Sequence, residues 1–195
     1  RRVRLRTNLE IFWDRLAWAR GLDPKLCRTR RLPLRTAELR YRGIVEMAQA
    51  DQSSPELPVY DKVVQTHGKW RDLVGFHTRF GDVKELLEKP DDRYVIMNAG
   101  DELLMTFDAV PQAEGMERSF VWIADGWVKD GDLNTRWGDT VLPLPFHGMD
   151  DYTKRPGRLE DDPVYKRFPK DWQKYHTRYV APAAFARGLR PRRAP

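Results

Sequence analysis

The stretch 37–43 reads AELRYRG and decides the fold class. Apolar positions, Ala37 and Leu39 among them, alternate there with charged positions such as Glu38 and Arg40. A period of two places successive side chains on opposite faces of a β-strand. The 195-residue chain also has 14 Pro and 13 Gly, which divide it into short elements. Together these features predict a mainly β fold, a jelly-roll-like β-sandwich with one or two short helices.

Two further regions show strand patterns. Residues 2–19 alternate in the same way, although a helix remains the alternative for 9–20. The apolar run 93–97, the turn 98–101 and the returning run 102–108 predict a β-hairpin.

Residues 118–128, RSFVWIADGWV, predict another strand because aromatic and β-branched residues dominate it. Phe120 and Trp122 would share one face of that strand.

Short helices are expected at two places. Asp82 can cap a turn over 83–89, and residues 164–176 hold a short helix at best.

Charge is unevenly distributed. Residues 1–42 carry 13 basic and 4 acidic side chains, residues 43–165 carry 13 and 24, and residues 166–195 carry 9 and 1. The net charge of +6 is therefore an acidic body between two basic ends. The ends either fold back onto the body or meet an acidic partner. We expect one β-rich domain over 1–180 and an extended basic tail, 181–195, as a docking arm.

Several classes of protein are excluded or disfavoured by composition. The single cysteine, Cys27, excludes an internal disulfide framework, and we expect it to be inert and half-buried. No apolar run has the roughly 18 residues that a membrane span needs. The sequence contains no GxSxG, P-loop, GxGxxG or HExxH motif, so no catalytic residue is assigned. No nucleic-acid motif accompanies the arginines, and we expect no nucleic-acid partner.

The loop after residue 128 is the one candidate metal site. Asp130, Asp132 and Asn134 place oxygen ligands at alternate positions, the opening spacing of a calcium loop. Thr135 and Val141 stand where an EF-hand has Gly and Glu. A hydrogen-bonded turn is the alternative. We expect no cofactor, with calcium at this loop as the one candidate.

Histidines and neighbouring carboxylates are expected to be structural or solvated. The histidines are too far apart in sequence for a pair on one helical turn, and a cluster in space stays open. Adjacent carboxylates do not normally aim at one bond, which favours solvated charge. These residues are His67, His77, His147 and His176, with the pairs Asp91–Asp92, Asp150–Asp151 and Asp161–Asp162.

Seven tryptophans support a carbohydrate-binding alternative, since a row of exposed Trp can stack on sugars, but most Trp on strands are core or interface residues. They are Trp13, Trp18, Trp70, Trp122, Trp127, Trp137 and Trp172.

Nine ordered motifs give the chain a family resemblance over roughly residues 3–180. They are residues 5–14, 37–43, 60–61, 78–83, 91–97, 100–102, 125–135, 142–147 and 175–178. In this order they resemble the C-terminal region of bacterial FG-GAP repeat proteins of the ASPIC/UnbV, cartilage-acidic-protein-like group. The resemblance implies a module that follows a β-propeller in an exported or cell-envelope protein, and it brings no catalytic residues.

These observations give one functional hypothesis and two alternatives. We expect a non-enzymatic, extracytoplasmic (periplasmic or secreted) protein-interaction module, a docking or stabilising part of a larger envelope assembly or polypeptide. The tail 181–195 could dock on a membrane protein. The alternatives are a carbohydrate-binding module and a metal-dependent enzyme domain. The opening residues RRVR follow a strand-like pattern without an initiator Met, so we expect a piece of a larger polypeptide or a processed form.

Overall fold

The computed structural model describes residues 4, 17–21, 23, 27–64, 72–129, 131 and 134–183. The chain divides into two compact units, residues 1–32 and 33–195. The domain bounds expected from the sequence, 1–180 and 181–195, stay a prediction. The strand predicted over 2–19 lies outside the described residues except at 4 and 17–19, which are not in a strand. In the first unit Cys27 is exposed, so its expected half-burial is wrong. The described residues around it, 27–31, are also exposed and belong to no helix or strand that could cover it.

The described part of the second unit is mainly β, as the sequence predicts. The strands are β1 (Leu34–Tyr41), β2 (Ile44–Ala48), β3 (Leu57–Val64), β4 (Gly75–His77), β5 (Gly81–Asp82), β6 (Asp101–Phe107) and β7 (Arg178–Val180). Two short α-helices, α1 (Pro163–Arg167) and α2 (Asp171–Lys174), lie between β6 and β7, and 3-10 helices occur at Lys84–Leu87 and Leu159–Asp161. The sandwich arrangement stays a prediction.

The strands form three small antiparallel sheets, ordered β5-β1-β6, β2-β3 and β4-β7. β1 contains most of the stretch 37–43 and lies in the middle of the largest sheet. Its alternation is visible in burial, because Ala37 and Leu39 are 1% and 0% exposed while their neighbours face outward. Leu39 pairs with Leu103 of β6 on one side and with Gly81 of β5 on the other.

Two apolar clusters support these elements. The first packs β1 against the 3-10 helix Lys84–Leu87 and Tyr175, and its buried members are Ala37, Leu39, Val83, Leu86 and Tyr175. The second joins the chain around 141–146 to α1, and its buried members are Val141, Leu144 and Val164. Asp162 links the two parts of the second cluster. Its carboxylate accepts hydrogen bonds from the backbone N–H groups of Val164 (2.8 Å) and Leu144 (3.1 Å).

The predicted hairpin of 93–97 with 102–108 is wrong. Residues 93–98 form no strand, and β6 pairs with β1 instead. The backbone of Ile96 is bonded elsewhere: its carbonyl accepts the N–H of Thr78 (2.9 Å), and its N–H donates to Oγ1 of Thr78 (2.7 Å). The turn between the two runs is confirmed, with Gly100 at φ 83° and the N–H of Asp101 bonded to the carbonyl of Asn98.

The strand predicted over 118–128 is also wrong. The segment is in no sheet, and among the residues that the structure describes none forms a backbone hydrogen bond with it. Apolar side chains occupy both alternating sets of positions, so the pattern does not select one face for burial against a single layer. We call residues 118–128 the apolar segment.

The short helices occur close to where the sequence predicts them. Asp82 accepts a hydrogen bond from the backbone N–H of Lys84 (2.9 Å) where the 3-10 helix Lys84–Leu87 begins. Residues 164–176 include most of α1 and all of α2.

Candidate functional site

Four charged side chains from four parts of the second unit meet beside the second apolar cluster. They are Asp92, Asp125, His147 and Arg167, which we call the Asp–His cluster. Asp92 lies in a turn with a positive φ of 67°, which Asp tolerates better than most residues. Its residue is only 8% exposed, so its carboxylate needs partners within the protein.

Asp92 receives three hydrogen bonds. Its Oδ1 accepts from the backbone N–H of His147 (2.8 Å) and pairs with the ring Nδ1 of the same residue (2.6 Å). Its Oδ2 accepts from a guanidinium nitrogen of Arg167 (2.6 Å), at the end of α1. This arrangement fixes both the backbone and the ring of His147.

The other ring nitrogen of His147 faces the apolar segment. Its Nε2 lies 2.9 Å from Oδ2 of Asp125. The side chains of His147 and Asp125 are 55% and 51% exposed, so this ion pair lies at the surface, whereas the side chain of Asp92 is 7% exposed. The cluster therefore connects a buried carboxylate to an exposed one through a single imidazole.

The charges in the cluster shift its pKa values in the expected directions. Hydrogen bonds to Asp92 and Asp125 raise the pKa of His147. Burial acts to raise the pKa of Asp92, but hydrogen bonds from His147 and Arg167 outweigh burial, and that pKa is lowered. Both shifts favour a charged imidazole between carboxylates.

The apolar segment is exposed along its length. Its large apolar side chains range from 57% exposed to 92% exposed, and they are Phe120, Val121, Trp122, Ile123, Trp127 and Val128. Contiguous exposed apolar surface of this kind marks sites of interaction in soluble proteins.

One ion pair and one ring contact between described side chains join the apolar segment to the rest of the second unit. One is the ion pair of Asp125 with His147. The other is an edge-to-face contact between the rings of Trp122 and Phe107, whose centroids are 6.1 Å apart. Phe107 is the last residue of β6, so the segment is attached at one end of that strand.

Sequence reasoning missed this site. The sequence predicts solvated carboxylates at Asp91–Asp92 and Asp161–Asp162, but Asp92 and Asp162 are both 8% exposed. Each accepts a hydrogen bond from one backbone N–H of a distant loop, Asp92 from His147 and Asp162 from Leu144, which offsets the free-energy cost of burying the carboxylate. Asp92 and His147 are 55 residues apart, and no fixed spacing signals such a pair.

Two other histidines are buried, as a structural role requires. His77 and His176 are 1% and 2% exposed. Nδ1 of His176 lies 3.0 Å from Oγ1 of Thr78, and burial lowers the pKa of His176 to about 4. Burial also lowers the pKa of His77. His67 lies outside the described residues.

The predicted calcium ligands are only partly placed. Asp130 and Asp132 lie outside the described residues, and Asn134 is exposed. Among the described residues, no group of three or more His, Cys, Asp or Glu side chains is arranged to hold a metal ion. The calcium hypothesis for Asp130, Asp132 and Asn134 therefore stays a prediction.

The tryptophans are dispersed. Trp18 is exposed in the first unit, and Trp122 and Trp127 are exposed in the apolar segment. Trp137 and Trp172 are partly buried, and Trp137 donates to the carbonyl of Tyr152 (3.1 Å). Trp13 and Trp70 lie outside the described residues.

An open cavity of about 660 Å³ lies between β2 and the start of β6. Its wall is largely apolar, and Arg42, Tyr60 and Glu102 supply polar groups. These three bond to one another, since Tyr60 donates to Glu102, and Arg42 pairs with Glu102 at 3.5 Å. Nε of Arg42 and Oδ1 of Asp101, another lining residue, are buried without a hydrogen-bond partner among the described residues.

Comparisons with protein families, with curated proteins and with solved structures find no match. The resemblance to the ASPIC/UnbV group therefore stays a prediction. Within the described parts of the chain, none of the helices has the length and apolar character to cross a bilayer.

Proposed function

We propose that the chain is a non-enzymatic protein-interaction module that binds a partner protein through the apolar segment. One observation carries this proposal: six large apolar side chains in eleven consecutive residues are more than half exposed. Loops normally carry polar residues over a protein surface, and this segment does the opposite.

The exposed area suits a protein interface. Aromatic side chains bury about 150–250 Å² each when covered. Covering the exposed parts of Phe120, Trp122 and Trp127 removes on the order of 400 Å² from water. A stable interface buries about 800 Å² on each partner, so these three rings supply roughly half of it. Val121, Ile123 and Val128, which are 85–92% exposed, add to that area.

The partner that fits best is a protein with a free β-sheet edge. The segment has strand-forming side chains and a backbone without hydrogen bonds to described residues. An extended segment of that kind binds by adding a strand to a partner's sheet, where backbone bonds give affinity and alternate side chains give specificity. Apolar residues on both faces suit a strand that is covered from both sides.

The setting of this interaction is also part of the proposal. The resemblance of the sequence to the ASPIC/UnbV group supports an extracytoplasmic assembly in which the module docks or stabilises other subunits. The basic tail 181–195 would add an electrostatic contact to the same assembly.

A carbohydrate-binding function receives less support. Trp122 and Trp127 are the two exposed tryptophans of the second unit's described residues. They are five positions apart, so in an extended chain they face opposite sides and provide no common platform for a sugar. A glycan array that detects binding abolished by Trp122→Ala would favour the carbohydrate function instead.

Site-specific photocrosslinking tests the proposal. A photoreactive residue replaces Val121 in the full chain, and a matched control carries it at Leu57, which is 63% exposed on β3. We expect a discrete protein adduct from position 121 in the native host and none of the same mass from position 57. Adducts confined to the chain itself, or identical adducts from both positions, would contradict the proposal.

A further inference from the structure

We propose that His147 is a pH-sensitive latch that holds the apolar segment through Asp125 and releases it as the pH rises. This inference rests on the proposed function, because it assigns a regulation to the surface that docks the partner. It is carried by the geometry of one imidazole ring placed between two carboxylates.

The ring must carry two protons to make both of its contacts. Nδ1 faces Oδ1 of Asp92 at 2.6 Å, and Nε2 faces Oδ2 of Asp125 at 2.9 Å. An ionised carboxylate only accepts hydrogen bonds, so each ring nitrogen has to donate. Neutral imidazole has a single N–H and can satisfy one of the two carboxylates. The observed arrangement is therefore that of the imidazolium.

Loss of one proton acts on the two contacts unequally. Asp92 is buried, and it also holds the backbone N–H of His147 and the guanidinium of Arg167. The remaining ring proton stays on Nδ1, because leaving the buried carboxylate of Asp92 without this donor costs more free energy than leaving the exposed carboxylate of Asp125 without one. Nε2 then presents a lone pair to Asp125, whose half-exposed carboxylate turns to water.

The two carboxylates that face the ring set the direction of the switch. Asp92 and Asp125 are the carboxylates that face His147, and Arg167 is the cation on the far side of Asp92. The carboxylates raise the pKa of His147 above its usual 6.5. A raised pKa means that the contact is fully formed below about pH 6.5 and is lost as the pH rises through the folded-state value.

Opening the latch affects the apolar segment because His147–Asp125 is the one ion pair, beside one ring contact, that joins the segment's described side chains to the rest of the second unit. Exposed ion pairs are weak, so opening the latch changes the ratio of held to released segment by about twofold to fivefold. The remaining attachment, Trp122 against Phe107, reports on that ratio because its ring environment changes when the segment leaves.

The test is fluorine NMR on the full chain labelled with 5-fluorotryptophan, with Trp122 assigned by Trp122→Phe. Between pH 5 and pH 9 we expect the Trp122 signal to titrate with the same midpoint as the His147 ring. The titration should disappear in His147→Gln and in Asp125→Asn. Asp150→Asn, at an exposed carboxylate outside the cluster, should retain it. A Trp122 signal that does not titrate in the wild type, or that titrates equally in His147→Gln, would overturn the latch.

Partner binding separates this inference from the proposed function. With the crosslinked partner purified, we expect affinity to rise across the His147 transition by up to about fivefold, and to be independent of pH in His147→Gln. Affinity that is independent of pH in the wild type would overturn the latch and leave docking intact. A titrating Trp122 with no adduct from position 121 would support the latch and overturn docking.

Discussion

A single carboxylate oxygen of Asp92 holds both the backbone and the ring of His147. Oδ1 accepts the backbone N–H at 2.8 Å and lies 2.6 Å from Nδ1. The second oxygen binds Arg167, so the buried carboxylate joins α1 to the chain around 147. The exposed nitrogen of the same ring then reaches Asp125 in the apolar segment. The surface that we propose for docking is in this way connected to the buried carboxylate of Asp92 through the side chain of His147.

Asp92→Asn should lower the free energy of unfolding by about 1–3 kcal/mol, because hydrogen bonds to a charged acceptor are lost. Asn tolerates the positive φ at this position, so the change tests charge rather than backbone strain. Urea denaturation at neutral pH measures the loss. Asp150→Asn is the control and should stay within about 0.5 kcal/mol of the wild type. A loss at Asp92 no larger than at Asp150 would mean that the carboxylate is not buried among partners.

Leu39→Ala should cost about 2–5 kcal/mol, since Leu39 is fully buried where β1 pairs with β6. Leu104→Ala, on the neighbouring strand at a residue that is 40% exposed, should cost clearly less. Denaturant unfolding of both variants measures the difference. If β6 paired with 93–97 as a hairpin, Leu39 would not be buried beside β6. The losses of unfolding free energy in Leu39→Ala and Leu104→Ala would then be similar.

Folding stability should decrease on mild acidification. Burial lowers the pKa of His176 from 6.5 to about 4 in the folded chain, so the unfolded chain binds the proton first as the pH falls. The free energy of unfolding should drop by about 3 kcal/mol between pH 6.5 and pH 4 from this residue. His176→Gln should flatten that part of the pH profile. An unchanged profile in the variant would show that His176 is accessible to protons in the folded state.

The calcium hypothesis for the loop 130–134 predicts stabilisation by the free ion. A site that binds only the folded chain adds about 2.7 kcal/mol when calcium is at one hundred times its dissociation constant. Asp130→Ala and Asp132→Ala should remove the calcium-dependent rise in Tm, and a chelator should do the same in the wild type. A Tm that is independent of calcium and of chelator would exclude the hypothesis.

The sequence predicts the local elements better than their partners. The alternation of 37–43 identifies β1 because one of its faces is buried and the other is exposed. The run 93–97 has a strand's composition, but its partner depends on which distant part of the chain is nearest. The backbone N–H of Ile96 donates to the side chain of Thr78 and not to a strand. The apolar segment shows the same limit, since its composition favours a strand but no described strand pairs with it.

The candidate site depends on contacts between distant residues that no local sequence pattern predicts. Asp91 and Asp92 are adjacent residues of the same type, yet of these two carboxylates it is that of Asp92 that contacts His147. His147 follows a proline-rich stretch that predicts an extended chain and says nothing about a partner 55 residues earlier. Only the packing of α1 and the turn at Asp92 brings these charges together.

The central claim is that the apolar segment is a docking surface, and the affinity of Ile123→Asp for the crosslinked partner tests it most directly. Ile123 is 89% exposed, so the change should leave folding intact, while a charge buried in the interface should weaken binding. Leu57→Asp is the matched control at an exposed apolar residue on β3. We predict that Kd rises at least tenfold, about 1.4 kcal/mol, for Ile123→Asp and stays within about twofold for Leu57→Asp. Equal affinities for the wild type and Ile123→Asp would contradict the account.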